Sequence, residues 1–222
     1  MVAVMRQLGV EATTGHWEFT LGADRVSELF GGVNTAGSAG IPFLAGNVRD
    51  TDFEDAAFEG TRMFEKGGVS VAVIGQAFPY TPIANPKHMM PDWSFGIQDD
   101  NMQKMVDEVR AKGAQVVVVL SHNGMDVDLK MAARVTGIDA ILGGHTHDGV
   151  PAPVIVKNRI GQTLVTNAGS NGKFLAVLDF DVRHGKVQDF RYKLMPVFSN
   201  LLPADTEMQA YIDTVRAPYK NK

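Results

Sequence analysis

The chain has 222 residues, of which 45% are hydrophobic and 21% charged, and it carries a net charge of -4. That composition suits one large globular domain and lacks the Lys/Arg-rich footprint of a nucleic-acid binder. With no cysteine, disulfides, thiolate ligands and a thiol nucleophile are excluded, and no apolar run reaches the length of a membrane span.

Residues 1–9 read as a helix, with Met1, Val4, Met5 and Leu8 at helical spacing. The start has no basic segment and no cleavage site, so it does not read as a signal peptide; the natural protein is expected to begin upstream of Met1. Residues 10–14 read as a short strand ending at Gly15-His16-Trp17-Glu18. Residues 24–30 form a helix closed by Gly31-Gly32. Residues 42–48 and 69–74 read as apolar strands, the second buried and bounded by Gly67-Gly68 and Gly75.

Residues 76–96 carry four prolines and the aromatics Phe78, Tyr80, Trp93 and Phe95, a loop of a length that is often functional. Residues 99–112 form an amphipathic helix with Met102, Met105, Val106 and Val109 on one face. Residues 115–120 read as a strand covered on both faces, 127–135 as a helix and 138–142 as another buried strand. Strands follow at 154–156, 163–167, 174–182 and 186–194, the last two joined by a hairpin at Arg183-His184-Gly185. A helix at 205–216 ends the series. A βαβ rhythm followed by antiparallel strands makes a mixed two-sheet α/β sandwich.

Four of the six histidines stand directly after a strand: His16, His122, His145 and His147. Ligand sites gather at the carboxyl ends of strands in open α/β sheets, so three strand ends could bring four imidazoles together. In Gly143-Gly144-His145-Thr146-His147 an extended backbone would point both histidines to the same side. Ser121-His122-Asn123-Gly124 repeats the pattern of apolar strand, histidine and turn glycine. One histidine after a strand is more often a hydrogen-bonded loop residue than a ligand. Three such strand ends turn the balance to a metal site. His88, in the proline-rich loop, and His184, in a hairpin turn, read as surface residues. Gly75 is not followed by a dinucleotide fingerprint, Gly169-Ser170-Asn171-Gly172 reads as a turn, and no G-x-S-x-G elbow is present.

These motifs resemble those of the 5'-nucleotidase branch of the metallophosphoesterases. Gly15-His16-Trp17-Glu18-Phe19-Thr20-Leu21-Gly22 is similar to its G-N-H-E-F-D-x-G motif, Ser121–Gly124 to its T-H-x-G motif, and Gly143–His147 to its G-G-H-S-H motif. Asn167-Ala168-Gly169-Ser170-Asn171-Gly172-Lys173 is similar to its Q-A-G-x-x-G-K turn. Within that branch His16, Trp17 and Thr20 stand where nucleotidases have Asn, His and Asp. This substitution set resembles the SoxB family of thiosulfohydrolases, as does Tyr80–Pro86 with Pro91-Asp92-Trp93.

The resemblance implies an αββα sandwich lacking its N-terminal βαβ portion, with residues 1–197 as a partial catalytic domain and 198–222 as a linker and helix towards a further domain. It implies two divalent ions, manganese first and zinc as the other choice, with a metal-bound water as nucleophile. His16, His122 and His145 would serve one ion and His147 the other. Trp17 and Asn123 would line the substrate pocket, although Trp17 reads equally well as core packing. The implied substrate is the periplasmic sulfur-carrier protein SoxYZ, bearing a cysteine S-thiosulfonate from which sulfate is released. Neither nucleic acid nor membrane is implied as a partner. The family's D-x-H and G-D motifs do not occur in the sequence, so the chain alone is expected to be inactive. A nucleotide phosphoesterase and a non-catalytic relict of a metal site are the competing readings.

Overall fold

The computed structural model describes residues 1–220. In chain order the helices are α1 (Val2–Gln7), α2 (Ala23–Phe30), α3 (Thr81–Ala84), α4 (Asp99–Ala111), α5 (Met125–Arg134) and α6 (Thr206–Arg216). The strands are β1 (Gly31–Gly32), β2 (Thr35–Ala36), β3 (Val48–Asp50), β4 (Thr61–Lys66), β5 (Val69–Gln76), β6 (Trp93–Phe95), β7 (Val116–Ser121), β8 (Ala140–Gly143), β9 (Val154–Lys157), β10 (Gln162–Asn167), β11 (Phe174–Arg183) and β12 (Lys186–Pro196). Among the described residues no helix is long and apolar enough to cross a membrane.

A six-stranded sheet in the order β4-β5-β7-β8-β10-β9 forms the centre. Its four inner strands are parallel, and β4 and β9 close the edges antiparallel. The register pairs Gln76 with Ser121, Leu120 with Leu142, and Gly143 with Asn167. The carboxyl ends of the parallel strands therefore share one rim, where such sheets place their ligands.

Side chains alternate across the sheet. On one face Ala72, Ile74, Val117, Val119, Ile141 and Val165 pack against Met102, Met105, Val106 and Val109 of α4 and Met131 and Ala132 of α5. The expected helical stripe at 99–112 is this contact. The opposite face is not sealed. Val71, Val73, Val118, Leu120 and Leu142 are half-buried, and some of them border a cleft of about 650 Å³ roofed by the β11–β12 hairpin. The double cover expected for 69–74 and 115–120 is thus complete on the helical face only. The mixed α/β architecture is present, as one six-stranded sheet, the β11–β12 hairpin across its open face, and two further two-stranded pairs, β1-β2 and β3-β6.

A second core is aromatic. Phe19, Phe43, Phe58, Met90 and Trp93 are buried together, with Phe30 and Phe95 packed on them. Phe19 meets Phe95 at 4.8 Å and Trp93 at 5.5 Å between ring centroids, edge to face, the favoured arrangement for aromatic pairs. This core ties residues 15–50 to the proline-rich segment. That segment is not the irregular loop expected: it contains α3 and β6, and β6 pairs antiparallel with β3.

Other expectations shift for physical reasons. Residues 10–14 and 42–47 share only a single bridge, Thr13 with Phe43; the amides of Leu44, Ala45 and Gly46 donate instead to the carbonyls of Thr13, Glu59 and Gly75, and Val48 opens β3. The strand β4 was not expected, since its sequence TRMFEK is charged and mostly exposed. It pairs with β5 through a two-residue turn at Gly67 and Gly68, whose φ values of 56° and 76° suit the hairpin turn that needs left-handed residues. Helix α6 buries no residue.

Candidate metal centre

Three histidines converge on the rim. His16, His122 and His145 each offer a ring nitrogen within 4.8 Å of the others. Ring centroids lie 4.3 Å apart for His16 and His122, 5.1 Å for His16 and His145, and 5.4 Å for His122 and His145.

Each loop is placed by local chemistry. His16 follows Gly15, where a Cβ would lie 2.6 Å from the rings of Phe19 and Phe43, so only glycine lets the chain pass over the aromatic core. The His16 amide donates to Glu18 Oε2 at 2.7 Å. His122 leaves the end of β7, and its amide donates to the Gln76 carbonyl at 2.8 Å. Below it Ser121 Oγ donates to Asp128 Oδ1 at 2.6 Å, and Asn123 Nδ2 donates to the same oxygen at 3.2 Å. His145 follows Gly144, where a Cβ would lie 3.1 Å from His122 Nδ1.

The backbone at His145 and His147 is left-handed, with φ of 71° and 59°, a conformation uncommon outside glycine. The extended geometry expected there does not form, and the same-side argument for the pair fails with it. His147 is exposed and stands outside the three-nitrogen group. It is near enough for its charge to disfavour protonation of His16, His122 and His145.

Burial is the main electrostatic force on the cluster. It holds the pKa of His16 down to about 3, with further lowering by the neighbouring histidines. His122 is lowered to about 4 by burial and then by His145 and His147. His145 is lowered by burial and by His147, against an opposing pull from Asp126. All three are therefore neutral at pH 7, the state in which imidazole binds a metal. His122 Nε2 and His145 Nδ1 are buried with no hydrogen-bond partner. Buried polar atoms normally have partners, and a pair of unpartnered nitrogens beside a third imidazole fits a divalent cation.

Trp17 is 55% exposed and outside both hydrophobic clusters; its ring stands edge-on to His16 at 5.5 Å. Asn123 is 2% exposed, and its amide braces Asp128. His88 and His184 are exposed, as read.

Two site residues escaped the sequence reading. Phe78 stacks on His145, with ring centroids 3.9 Å apart and an interplanar angle of 26°. Asp128 is fully buried, and burial raises its pKa to about 6 against hydrogen bonds from Ser121 and Asn123 that lower it. A carboxylate in register with the apolar face of α5, between Met125 and Ala132, was the available signal for Asp128. Phe78 had no signal beyond being one of several aromatics in its segment.

No family model matches the chain. Protein UshA of Yersinia enterocolitica is 25% identical over 186 residues, which make up 72% of this chain and 34% of that protein. The chain thus spans about a third of the length of that curated relative. Among solved structures, the sulfate thiohydrolase SoxB of Thermus thermophilus superposes with a TM-score of 0.89 at 34% identity, over 99% of this chain and 39% of that one. A 5'-nucleotidase precursor, also from Thermus thermophilus, superposes with a TM-score of 0.81 at 28% identity, over 98% of this chain and 45% of that one. Together with the four motifs around the histidines, these likenesses show that the chain belongs to the 5'-nucleotidase and SoxB branch of the metallophosphoesterases.

Proposed function

We propose that the chain carries part of the metal-binding half of a two-metal hydrolase of the SoxB type, which releases sulfate from a cysteine S-thiosulfonate on the carrier protein SoxYZ in the periplasm. The observation that carries this reading is the His16-Trp17-Glu18-Phe19-Thr20 segment, which keeps a metal-binding imidazole and lacks the His-Asp pair of nucleotidases. His16, His122 and His145 would hold one divalent ion and His147 would serve a second. Manganese is the first choice of metal. A set of imidazoles alone suits zinc at least as well, so carboxylate ligands from outside these histidines are needed to favour manganese. When bound, such ions supply positive charge to a tetrahedral, oxygen-ringed centre such as a sulfonate.

The residues around the histidines agree with a leaving group that needs no proton. An alkoxide leaving from a phosphate ester calls for a general acid, whereas a persulfide leaves readily as an anion. Thr20 is no substitute for that acid, because an alcohol hydroxyl is far too weakly acidic to protonate a leaving group near neutral pH; its Oγ1 donates to the Trp17 carbonyl at 2.7 Å. Trp17 takes the position of the acid pair's histidine and leaves a broad apolar surface beside His16, suited to a carrier arm.

The likeness to UshA and to the 5'-nucleotidase precursor supports a second reading, a phosphoesterase acting on nucleotides. A non-catalytic relict is the third. The two tryptophans of the chain separate them by fluorescence, since Trp93 is 8% exposed and Trp17 is 55% exposed. Titrating the zinc- or manganese-loaded protein with an S-thiosulfonated carrier peptide is expected to quench Trp17 emission saturably, with no response in Trp17→Phe. Quenching by 5'-AMP and not by the peptide favours the nucleotide reading. Retention of less than one equivalent of ion favours the relict. The chain by itself is expected to turn over neither substrate.

A further inference from the structure

The segment Gln76–Ala77–Phe78 touches all three histidine-bearing loops. The Gln76 carbonyl accepts from the His122 amide at 2.8 Å. The Phe78 amide donates to the Gly15 carbonyl at 3.1 Å, next to His16. The Phe78 ring stacks on His145 at 3.9 Å and meets His16 edge-on at 4.9 Å. Between them Ala77 is held at both ends by one fully buried side chain: its amide donates to Asn47 Oδ1 at 2.8 Å, and its carbonyl accepts from Asn47 Nδ2 at 2.9 Å. Asn47 also donates to the Gly96 carbonyl at 3.1 Å, which ties the splint to the aromatic core.

Phe78 is not an ordinary core residue. It is 6% exposed yet belongs to neither hydrophobic cluster. The rings it meets are those of His16, His122, His145 and Tyr80. Buried histidine ligands ordinarily have their orientation set by a hydrogen bond from the second ring nitrogen. His145 Nδ1 is the orphan nitrogen assigned above to the cation, no hydrogen bond fixes the rest of its ring, and its backbone is left-handed. A flat ring against its face supplies the missing restraint on rotation.

We propose that Phe78 is the positioning residue of the three-histidine cluster, pinned by Asn47 and setting the orientation of the His145 and His16 rings for a bound cation. This rests on the reading that the histidines hold a cation. It goes beyond that reading in assigning their orientation to an aromatic plate.

The test uses the 222-residue chain, with zinc chloride and cobalt chloride as probes. Phe78→Leu keeps an apolar side chain and loses the flat ring, and Phe78→Tyr keeps the ring. Loss of a partner that orients a ligand weakens metal affinity about 10- to 100-fold. Calorimetric titration is expected to show about a tenfold loss for Phe78→Leu, an altered cobalt absorption spectrum, and affinity and spectrum restored in Phe78→Tyr. Equal affinity and an unchanged spectrum in Phe78→Leu overturn the proposal. A second measurement needs no variant of Phe78. In the ion-free protein the His145 ring protons, assigned by comparison with His145→Gln, are expected to be sharp and shifted upfield by the stacked ring. Unshifted, averaged resonances overturn the proposal even where Phe78→Leu fails to fold. If the unaltered chain binds neither ion while the shift is present, the cation reading fails and the aromatic plate stands.

Discussion

Replacing Asp128 by asparagine is expected to stabilise the protein at pH 8 and to change little at pH 4. Asp128 is fully buried, and burial raises its pKa from 3.8 to about 6. Below pH 3.8 the carboxyl is protonated in both folded and unfolded chains, and the fold bears no cost. As the pH rises through 6 the folded chain comes to hold a desolvated carboxylate, while the unfolded chain hydrates the same group. Stability present in acid is therefore lost at neutral pH. A shift of about two units at 1.36 kcal/mol each gives about 3 kcal/mol at most. Asparagine keeps an oxygen for Ser121 Oγ and Asn123 Nδ2. It also replaces the unpartnered Oδ2 with a donor, facing the gap at Gly143 that the Thr166 carbonyl also borders. For a chain of this size each kcal/mol moves Tm by about 2–4 °C, so the gain at pH 8 is at most about 6–12 °C. Thermal unfolding followed by circular dichroism at pH 8, 6 and 4 measures it. An equal shift at every pH, or a loss of stability at pH 8, refutes the electrostatic account.

The histidines bend the stability curve in the opposite sense. His16 and His122, lowered from 6.5 to about 3 and about 4 mainly by burial, stay neutral in the fold while the unfolded chain takes up protons near pH 6.5. Stability present above that pH is lost as the pH falls towards 4. In the Asp128→Asn background, the urea midpoint is expected to drop between pH 7 and 4.5, and to drop less with His122→Gln added. A flat profile would contradict the burial of these rings. Met131→Ala, at 1% exposure in the helical core, should cost about 2–5 kcal/mol in urea unfolding, and a loss under about 1 kcal/mol would mean that α5 does not pack as described. Leu175 is 55% exposed beside the open cleft. Leu175→Lys is expected to lower hydrophobic-dye binding and self-association by light scattering, with stability changed by no more than about 0.5 kcal/mol. Unaltered dye binding would show that the cleft is closed in solution.

Periodicity made the helical face legible. Met102, Met105, Val106 and Val109 sit at helical spacing in the sequence and meet the sheet in the structure. The parallel strands were also legible, because β-branched runs such as Val116–Leu120 have few other homes. What failed was the inference from apolar run to double cover. A run of valines reports what the chain tolerates on both faces, not whether a second layer from this chain reaches them, and Val118 and Leu120 are half-buried. β4 escaped because an exposed edge strand carries charge instead of an apolar stripe. The three convergent histidines followed from their strand-end positions. His147 did not join them, because alternation holds only for extended backbone and two left-handed residues end it.

Several departures from local rules meet at the histidine rim. Two non-glycine residues with positive φ, His145 and His147, lie within three positions of each other. The unpartnered nitrogens of His122 and His145, the unpartnered oxygens of Asn123 and Asp128, and the raised carboxyl pKa all border the same rim. The rest of the helical core is apolar and carries no such conflict. Strain and unsatisfied polarity persist only where surrounding structure overdetermines them, and they cluster where a site acts on something else. A cation at His16, His122 and His145 would satisfy the orphan nitrogens, and it would bind the neutral imidazoles that burial already enforces. The fold thus places its least favourable features where a ligand has the most free energy to return.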